Sequence, residues 1–513
     1  MAQQIANQLA AAGGSLAITT VSGGTASSPS GGVDQAQVVG SGTSSTIPAG
    51  YEYIVNDTSC PSTITAQGDT QLLSGTVGGT FLMQGNATVA ASGDNTIVMS
   101  GPGSNVVETG DGVDNVSLMD GNSSVNVAGG DNNVFATGDS ANITAGDGAN
   151  QINLAAGNNT VSVGAGSNNI LASGSSAVIN AGNGNNQVNL AAGNNTVAAG
   201  NGNNNIVSNG TNGNITAGDG NNSVNAAAGN NTVSVGGGDN AVLLGGTSGV
   251  LNAGDGANQV NLAAGNNTVS LGNGTNNIFS NSSSAILTLG DGNNQVNMAA
   301  GNNTVTAGNG NNNMLFNGTS AVVSVGSGAN FVNIGAGNNT VGLGGGDNTV
   351  FASNAIVDIN AGAGATTLWG GENGNLTFVG SGNYLFTAGS GAESLFASAA
   401  TGSGMLFANS SDSASALINA GSGNDSLFAG GGANTLAGGG GSDAFFFNQT
   451  ITNSHGATTT IFDYASDDVV NLTGYDASKT STATSGANTV LTLSDNTQIV
   501  FVNYTQGINT NFG

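Results

Sequence analysis

Arginine is absent, and a single lysine, Lys479, stands against 28 acidic residues, a formal net charge of −27. A surface without cations repels phosphate backbones and anionic headgroups, which excludes nucleic acid and anionic lipid as partners. One histidine, His455, is the only other candidate base. General acid–base chemistry favours His, Lys or a carboxylate pair in a cleft. His455 and Lys479 lie near each other in the chain with no third member, and both read as surface residues. No HExxH motif occurs, and without Arg or Lys in the repeats a polysaccharide-lyase reading also fails. The expectation is that the chain is not an enzyme.

Cysteine is nearly missing as well. Cys60 stands alone, so an intrachain disulfide is impossible; a turn residue and an intermolecular bridge remain open for it. No segment approaches the ~20 apolar residues of a membrane helix, so membrane insertion is not expected. The start lacks a basic n-region and a long apolar h-region, and therefore does not read as a Sec signal. Aromatics are 5% and charged residues 6% of the chain, which denies it a large side-chain core.

Glycine, by contrast, numbers 89, and it is periodic. The hexapeptide AGNNTV returns with its Gly at 157, 193, 229, 265, 301 and 337, a step of 36 residues. The 36-residue unit divides into four nonapeptides, as in AGNGNNQVN from Ala181, LAAGNNTVA, AGNGNNNIV and SNGTNGNIT. Position 8 of each is aliphatic (Val188, Val197, Ile206, Ile215). A short strand at positions 7 to 9, followed by a glycine turn, satisfies this pattern. Two nonapeptides make one flattened coil. The predicted fold is all-β: a right-handed parallel β-roll or β-solenoid with 18 residues per coil and a 36-residue double repeat. A three-sided solenoid suits the period less well.

The nonapeptide resembles the RTX (hemolysin-type) repeat GGxGxDxUx, with Asn in AGNGNNQVN where that repeat has Asp at position 6. The resemblance implies calcium held between adjacent coils by position-6 aspartates and turn carbonyls. This sequence departs at that residue. At 18-residue spacing, position 6 carries Asp114, Asn132, Asn150, Asn168, Asn186, Asn204, Asn222, Asn240, Asn258, Asn276, Asn294, Asn312, Asn330 and Asn348. An amide cannot neutralise a hard cation, but it offers an acceptor and two donors. A hydrogen-bonded ladder is therefore expected in place of calcium, with weak ion sites or solvated turns as alternatives. On the other edge Asn159, Asn195, Asn231, Asn267, Asn303 and Asn339 alternate with Ala or Gly. Calcium is expected at few sites, mainly where Asp425 and Asp443 return to position 6 on neighbouring coils, with Asp114 a further candidate ligand. Asp147, Asp219, Asp255 and Asp291 sit at position 3, either for solubility or for calcium bridges between molecules.

The predicted organisation is a flexible segment over 1–50 with a short helix at Gln3–Ala12, a β cap over 51–81 and an Asn-rich solenoid over 82–396. A register slip follows at 397–419, then RTX-like calcium coils over 420–446 and a C-terminal β-rich module over 447–513. In that module TTTIFDYASDDVVNLTGYD and TVLTLSDNTQIVFVNY resemble the C-terminal module of RTX proteins exported by type I secretion. That implies an uncleaved C-terminal signal and an extracellular or cell-surface location. Position 9 on one sheet reads Phe135, Leu171, Val207, Leu243, Phe279, Leu315 and Phe351, with Asn between. Exposed, this file is an assembly face; a twist of position 9 into the core is the alternative. The expected function is a secreted structural protein that assembles with itself into a filament, biofilm matrix or surface layer, with polysaccharide a further possible partner. The alternative is an adhesin or an ice-binding module using Thr160, Thr196, Thr232, Thr268, Thr304 and Thr340. The N-x-T triplets follow from the repeat itself.

Overall fold

The computed structural model describes residues 16–30, 34–75, 77–408, 414–452 and 456–513; the helix expected at Gln3–Ala12, and His455, lie outside them. The chain forms two compact units, Met1–Gly254 and Asp255–Gly513. Both are all-β parallel solenoid with 18 residues per coil.

One coil of the first unit shows how. The strands Gln187–Leu190 and Asn194–Ala199 lie on opposite sides of the coil. Each pairs in parallel, residue for residue, with the strand 18 positions on, Asn205–Ser208 and Asn212–Ala217. Alternation along a strand sends every second side chain inward. Val188 and Leu190 point in from the short strand, and Asn195, Val197 and Ala199 from the long one. The core is thus thicker than one inward residue per nonapeptide. The strand runs across the nonapeptide boundary, and its period of two buries position 1 of the next repeat as well. Burying a Val or Leu is worth roughly 1.5–3 kcal/mol, while ordering each backbone residue costs about 1–2 kcal/mol. A lone coil cannot meet that cost, so each depends on its neighbours.

Residues 16–47, expected to be linker, are already coils where described. Leu16–Val21 pairs with Asp34–Val39, again 18 residues on, and Ser44–Ile47 pairs with Ser62–Gln67. Buried Val39, Ile47 and Tyr51 supply the apolar anchor that composition obscured. The Tyr51 hydroxyl lies 2.9 Å from Thr19 Oγ1 and donates to the Ser27 carbonyl at 2.9 Å.

In the second unit the stack continues through the expected slip. Gly404–Phe407 pairs with Tyr384–Thr387, and Leu417–Asn419 with Ser394–Phe396. The extra residues enter the turns and leave the sheets in register. Thr458–Ile461 and Val469–Thr473 add further parallel strands. Only then does the topology change: Ser481–Ser485, Asn488–Thr492 and Gln498–Phe501 run antiparallel, and the last of these covers the edge of Thr458–Ile461. That arrangement removes an open parallel edge. No helix among the described residues is long and apolar enough to cross a membrane.

The turns bring successive coils too close for side chains. At Gly202 φ is +129°, and a Cβ there would lie 2.3 Å from the Gly184 carbonyl oxygen. Gly202→Ala is expected to destabilise the local coils by more than the ~1 kcal/mol of an ordinary left-handed glycine, read as loss of amide-exchange protection centred on residues 184–220.

Candidate functional site

The inward residue just before a short strand such as Gln187–Leu190 or Asn205–Ser208 is position 6. Asn204 shows the pattern. Its Nδ2 donates to the carbonyls of Gly200 and Gly202 at 2.9 and 3.0 Å, and to Asn222 Oδ1 on the next coil at 2.9 Å. Its backbone N–H donates to the same Oδ1 at 3.2 Å. In the first unit this link joins Asn132, Asn150, Asn168, Asn186, Asn204, Asn222 and Asn240, with Nδ2–Oδ1 distances of 2.9–3.1 Å. In the second it joins Asn258, Asn276, Asn294, Asn312, Asn330 and Asn348 at 2.9 Å. All of these side chains are buried. The amide nitrogen therefore sits among two turn carbonyls and one side-chain oxygen, an oxygen set of the kind a hard cation takes. Calcium does not fit these coils, because its place is filled by N–H donors.

Asp114 stands in the column of the first unit between Asn95 and Asn132. Its Oδ1 accepts from the Asn95 backbone N–H and Nδ2 at 3.0 and 2.8 Å, and its Oδ2 accepts from Thr109 Oγ1 at 2.6 Å. Both oxygens are taken by protein donors. On the opposite edge the Asn159, Asn195, Asn231, Asn303 and Asn339 Oδ1 atoms accept from the N–H of Ala141, Ala177, Gly213, Ala285 and Ala321 on the preceding coil. The position-3 acids are exposed yet engaged: Asp147, Asp219, Asp255 and Asp291 accept from the N–H of Ala165, Gly237, Asn273 and Asn309 at 2.6–2.8 Å. Replacing the amide by a carboxylate at Asn204 sets oxygen against three oxygens. Asn204→Asp is expected to cost about 2 kcal/mol or more without calcium, measured by chemical denaturation. The parent protein should keep its β circular-dichroism signal in excess EGTA; a random-coil spectrum there would refute a ladder that works without metal.

Further along the second unit the same column changes chemistry. Register takes it from Asn348 through Thr366, Tyr384 and Gly404 to Asp425, Asp443 and Asp468. The inter-coil bond persists: Gly404 N–H donates to Asp425 Oδ1, Asp425 N–H to Asp443 Oδ1 at 2.8 Å, and Asp443 N–H to Asp468 Oδ1 at 2.9 Å. Asp468 was not singled out from the sequence, because 25 residues instead of 18 separate it from Asp443. All three acids are buried, and Asp425 Oδ2 has no hydrogen-bond partner. Burial pushes Asp425 up to about 6. Burial, together with Asp468, Asp425 and Asp463, pushes Asp443 up to about 7. No group of three or more His, Cys, Asp or Glu among the described residues converges on a single metal position. A cation here would lie between consecutive carboxylates and draw on turn carbonyls, and the orphaned Asp425 oxygen fits that chemistry. A second buried acid, Glu393, also escaped the sequence reading. It accepts from Gly389 N–H at 2.6 Å, leaves Oε1 unpartnered, and is raised to about 7 by burial. Lys479 is exposed and pairs with Asp476 at 3.1 Å.

Because the folded pKa values of Asp425 and Asp443 lie above the unfolded carboxylate value, these groups bind more protons folded than unfolded between pH 4 and pH 7. The C-terminal coils are then most stable below the unfolded value and lose stability as pH rises through about 6–7. Amide exchange in EGTA should show those coils loosening between pH 5 and pH 8, and added calcium should reverse the loss.

Position 9 points outward in both units. Phe135 is 39% and Phe279 41% exposed; Leu171, Val207, Leu243, Leu315 and Phe351 are half-buried, with Asn153, Asn189, Asn225, Asn261, Asn297 and Asn333 at the register positions between. In the second unit the file continues as Trp369, Thr387, Phe407, Phe428 and Phe446. Phe351 stacks on Trp369 at 5.7 Å, and Phe407, Phe428 and Phe446 stack at 4.4 and 4.5 Å.

The family model described as the RTX calcium-binding nonapeptide repeat (four copies) matches residues 135–170, 171–206, 207–242, 245–282 and 413–445. Among curated proteins none matches the chain. The first four segments span amide-column coils, and the last holds Asp425 and Asp443. Repeats of this kind bind calcium, and of the coils matched, those at Asp425 and Asp443 are the ones whose column carries carboxylates. Over those segments the β-solenoid is thus similar to the RTX calcium-binding nonapeptide repeat.

Proposed function

We propose that this chain is a secreted structural protein whose copies associate through the outer face of the sheet bearing the position-9 file, forming a filament, biofilm matrix or surface layer. The observation that carries this reading is where charge is placed. At a net charge of −27, no strand of that sheet among the described residues contains a charged residue, from Gly24–Thr25 through Ala241–Leu244 in the first unit and from Gln259–Leu262 through Thr510–Phe512 in the second. The acids lie outside its strands, in the turns or buried as Asp114, Glu393, Asp425, Asp443 and Asp468 are, with Asp34, Glu108 and Asp358 in strands of the other sheet. A face free of charge and lined by recurrent apolar side chains is where like-charged copies can meet at least electrostatic cost. Calcium screens the turn acids and lowers the remaining repulsion. RTX repeat proteins are typically secreted by type I export and are typically structural and not enzymatic, which agrees with an extracellular role. The partner is a further copy of the same chain, with cell-surface or matrix polysaccharide as a second ligand class.

Electron microscopy of the purified protein with and without calcium tests this. Ordered assemblies are expected with calcium, and Leu243→Asn, which completes the Asn file locally, should reduce them. Monodisperse particles in every condition would defeat assembly and leave a monomeric adhesin as the better reading.

A further inference from the structure

The change from amide to carboxylate passes through an unusual coil. Gly404 occupies the column position before Asp425 and offers no side chain. Its place is filled from the coil before. The Tyr384 ring, 3% exposed, extends across it, and a Cβ on Gly404 would lie 2.5–2.8 Å from the ring and the phenolic oxygen. The Tyr384 hydroxyl accepts from Gly421 N–H at 3.2 Å. Its own hydrogen remains for the Asp425 carboxylate, with which it interacts, and burial beside that carboxylate raises the phenol well above its ordinary range. No hydrogen bond of ordinary length and angle reaches the buried Asp425 Oδ2, so the hydroxyl acts on the carboxylate through electrostatic attraction.

We propose that Tyr384 closes the cation position at Asp425 on one side and makes it selective for calcium over magnesium. The inference rests on the reading of Asp425 and Asp443 as a calcium position. Magnesium dehydrates reluctantly and keeps several waters, whereas calcium accepts irregular sets of carboxylate and carbonyl oxygens. An aromatic ring packed over Gly404 denies water that side of the site. The hydroxyl meanwhile holds the carboxylate in place, as outer-shell partners do for metal ligands. Tyr384 is in this sense a positioning and specificity-determining residue, and not itself a ligand.

The test uses the full chain, with terbium(III) as a luminescent probe excited through tyrosine and displaced by calcium or by magnesium. The parent protein should show sensitised emission that calcium quenches at far lower concentration than magnesium. Tyr384→Ala should weaken calcium binding about tenfold or more and bring the two displacement curves together. Tyr384→Phe keeps the ring, so it should retain the calcium preference while the sensitised emission falls; Tyr464, which donates to the Asp468 carbonyl at 3.0 Å, accounts for what remains. An unchanged calcium-to-magnesium ratio in Tyr384→Ala, or unchanged emission in Tyr384→Phe, would overturn the proposal. If Tyr384→Ala does not fold, the emission of Tyr384→Phe decides alone. Calcium binding unaffected by Asp425→Asn and Asp443→Asn would overturn the calcium reading itself, and this role for Tyr384 with it.

Discussion

One contact governs this molecule: the side-chain amide just before a short strand, buried against the same amide one coil on. A parallel solenoid with few aromatics has a thin core, and its turns place carbonyl oxygens toward the interior, where they need donors or a cation. Each Asn Nδ2 answers two carbonyls of its own turn and one oxygen of the next coil. Its Oδ1 answers the backbone N–H of the coil before. The link is neutral, so repeating it builds up no charge. A column of aspartates in the same place would bury a negative charge on every coil and require a cation at each step.

That contact explains the distribution of everything else. With the interior neutral, acids can be confined to the turns, where Asp147 and Asp219 still accept a backbone N–H from the following coil. With acids in the turns, the strands stay uncharged and their outer faces can present Phe, Leu and Val without neighbouring charge. Glycine follows from the close approach of consecutive turns, as at Gly202. Carboxylates return to the column at Asp425, Asp443 and Asp468, the stretch that would suit a cation.

Much of this was legible in the sequence, because the repeat is strict and each nonapeptide position has one environment. The coil length, the Asn column, the alternating opposite edge and the Asp425–Asp443 pair all follow from counting in nines. Counting failed where spacing or composition changed. Residues 16–47, within the segment 1–50, read as linker because Gly and Ser outnumber their few inward anchors, such as Val39 and Ile47. Asp468 and Glu393 were missed because turn insertions break the interval, although the strands around them keep register. Counting places Tyr384 in the column, 18 residues after Thr366, but its role was illegible because it depends on the absent side chain of Gly404. The thickness of the core was underestimated because strand alternation crosses the repeat boundary.

The two column chemistries impose different dependences on the solution. An amide ladder is insensitive to pH and to divalent ions, so coils built on it are set by the chain alone. The acid column is not. With Asp425 and Asp443 raised to about 6 and about 7, the coils around them require a proton or a cation. Near neutral pH the proton is being lost, and a cation such as calcium would restore the balance. In a calcium-poor compartment the amide coils would be free to form while the acid coils stay loose; in a calcium-rich one both would close. Under the proposed assembly, the same ion would screen the turn acids and tighten the acid coils, and so would couple completion of the fold to cohesion between copies. This coupling follows from placing carboxylates in a few coils and amides in the rest, and a uniform column of either residue would lose it.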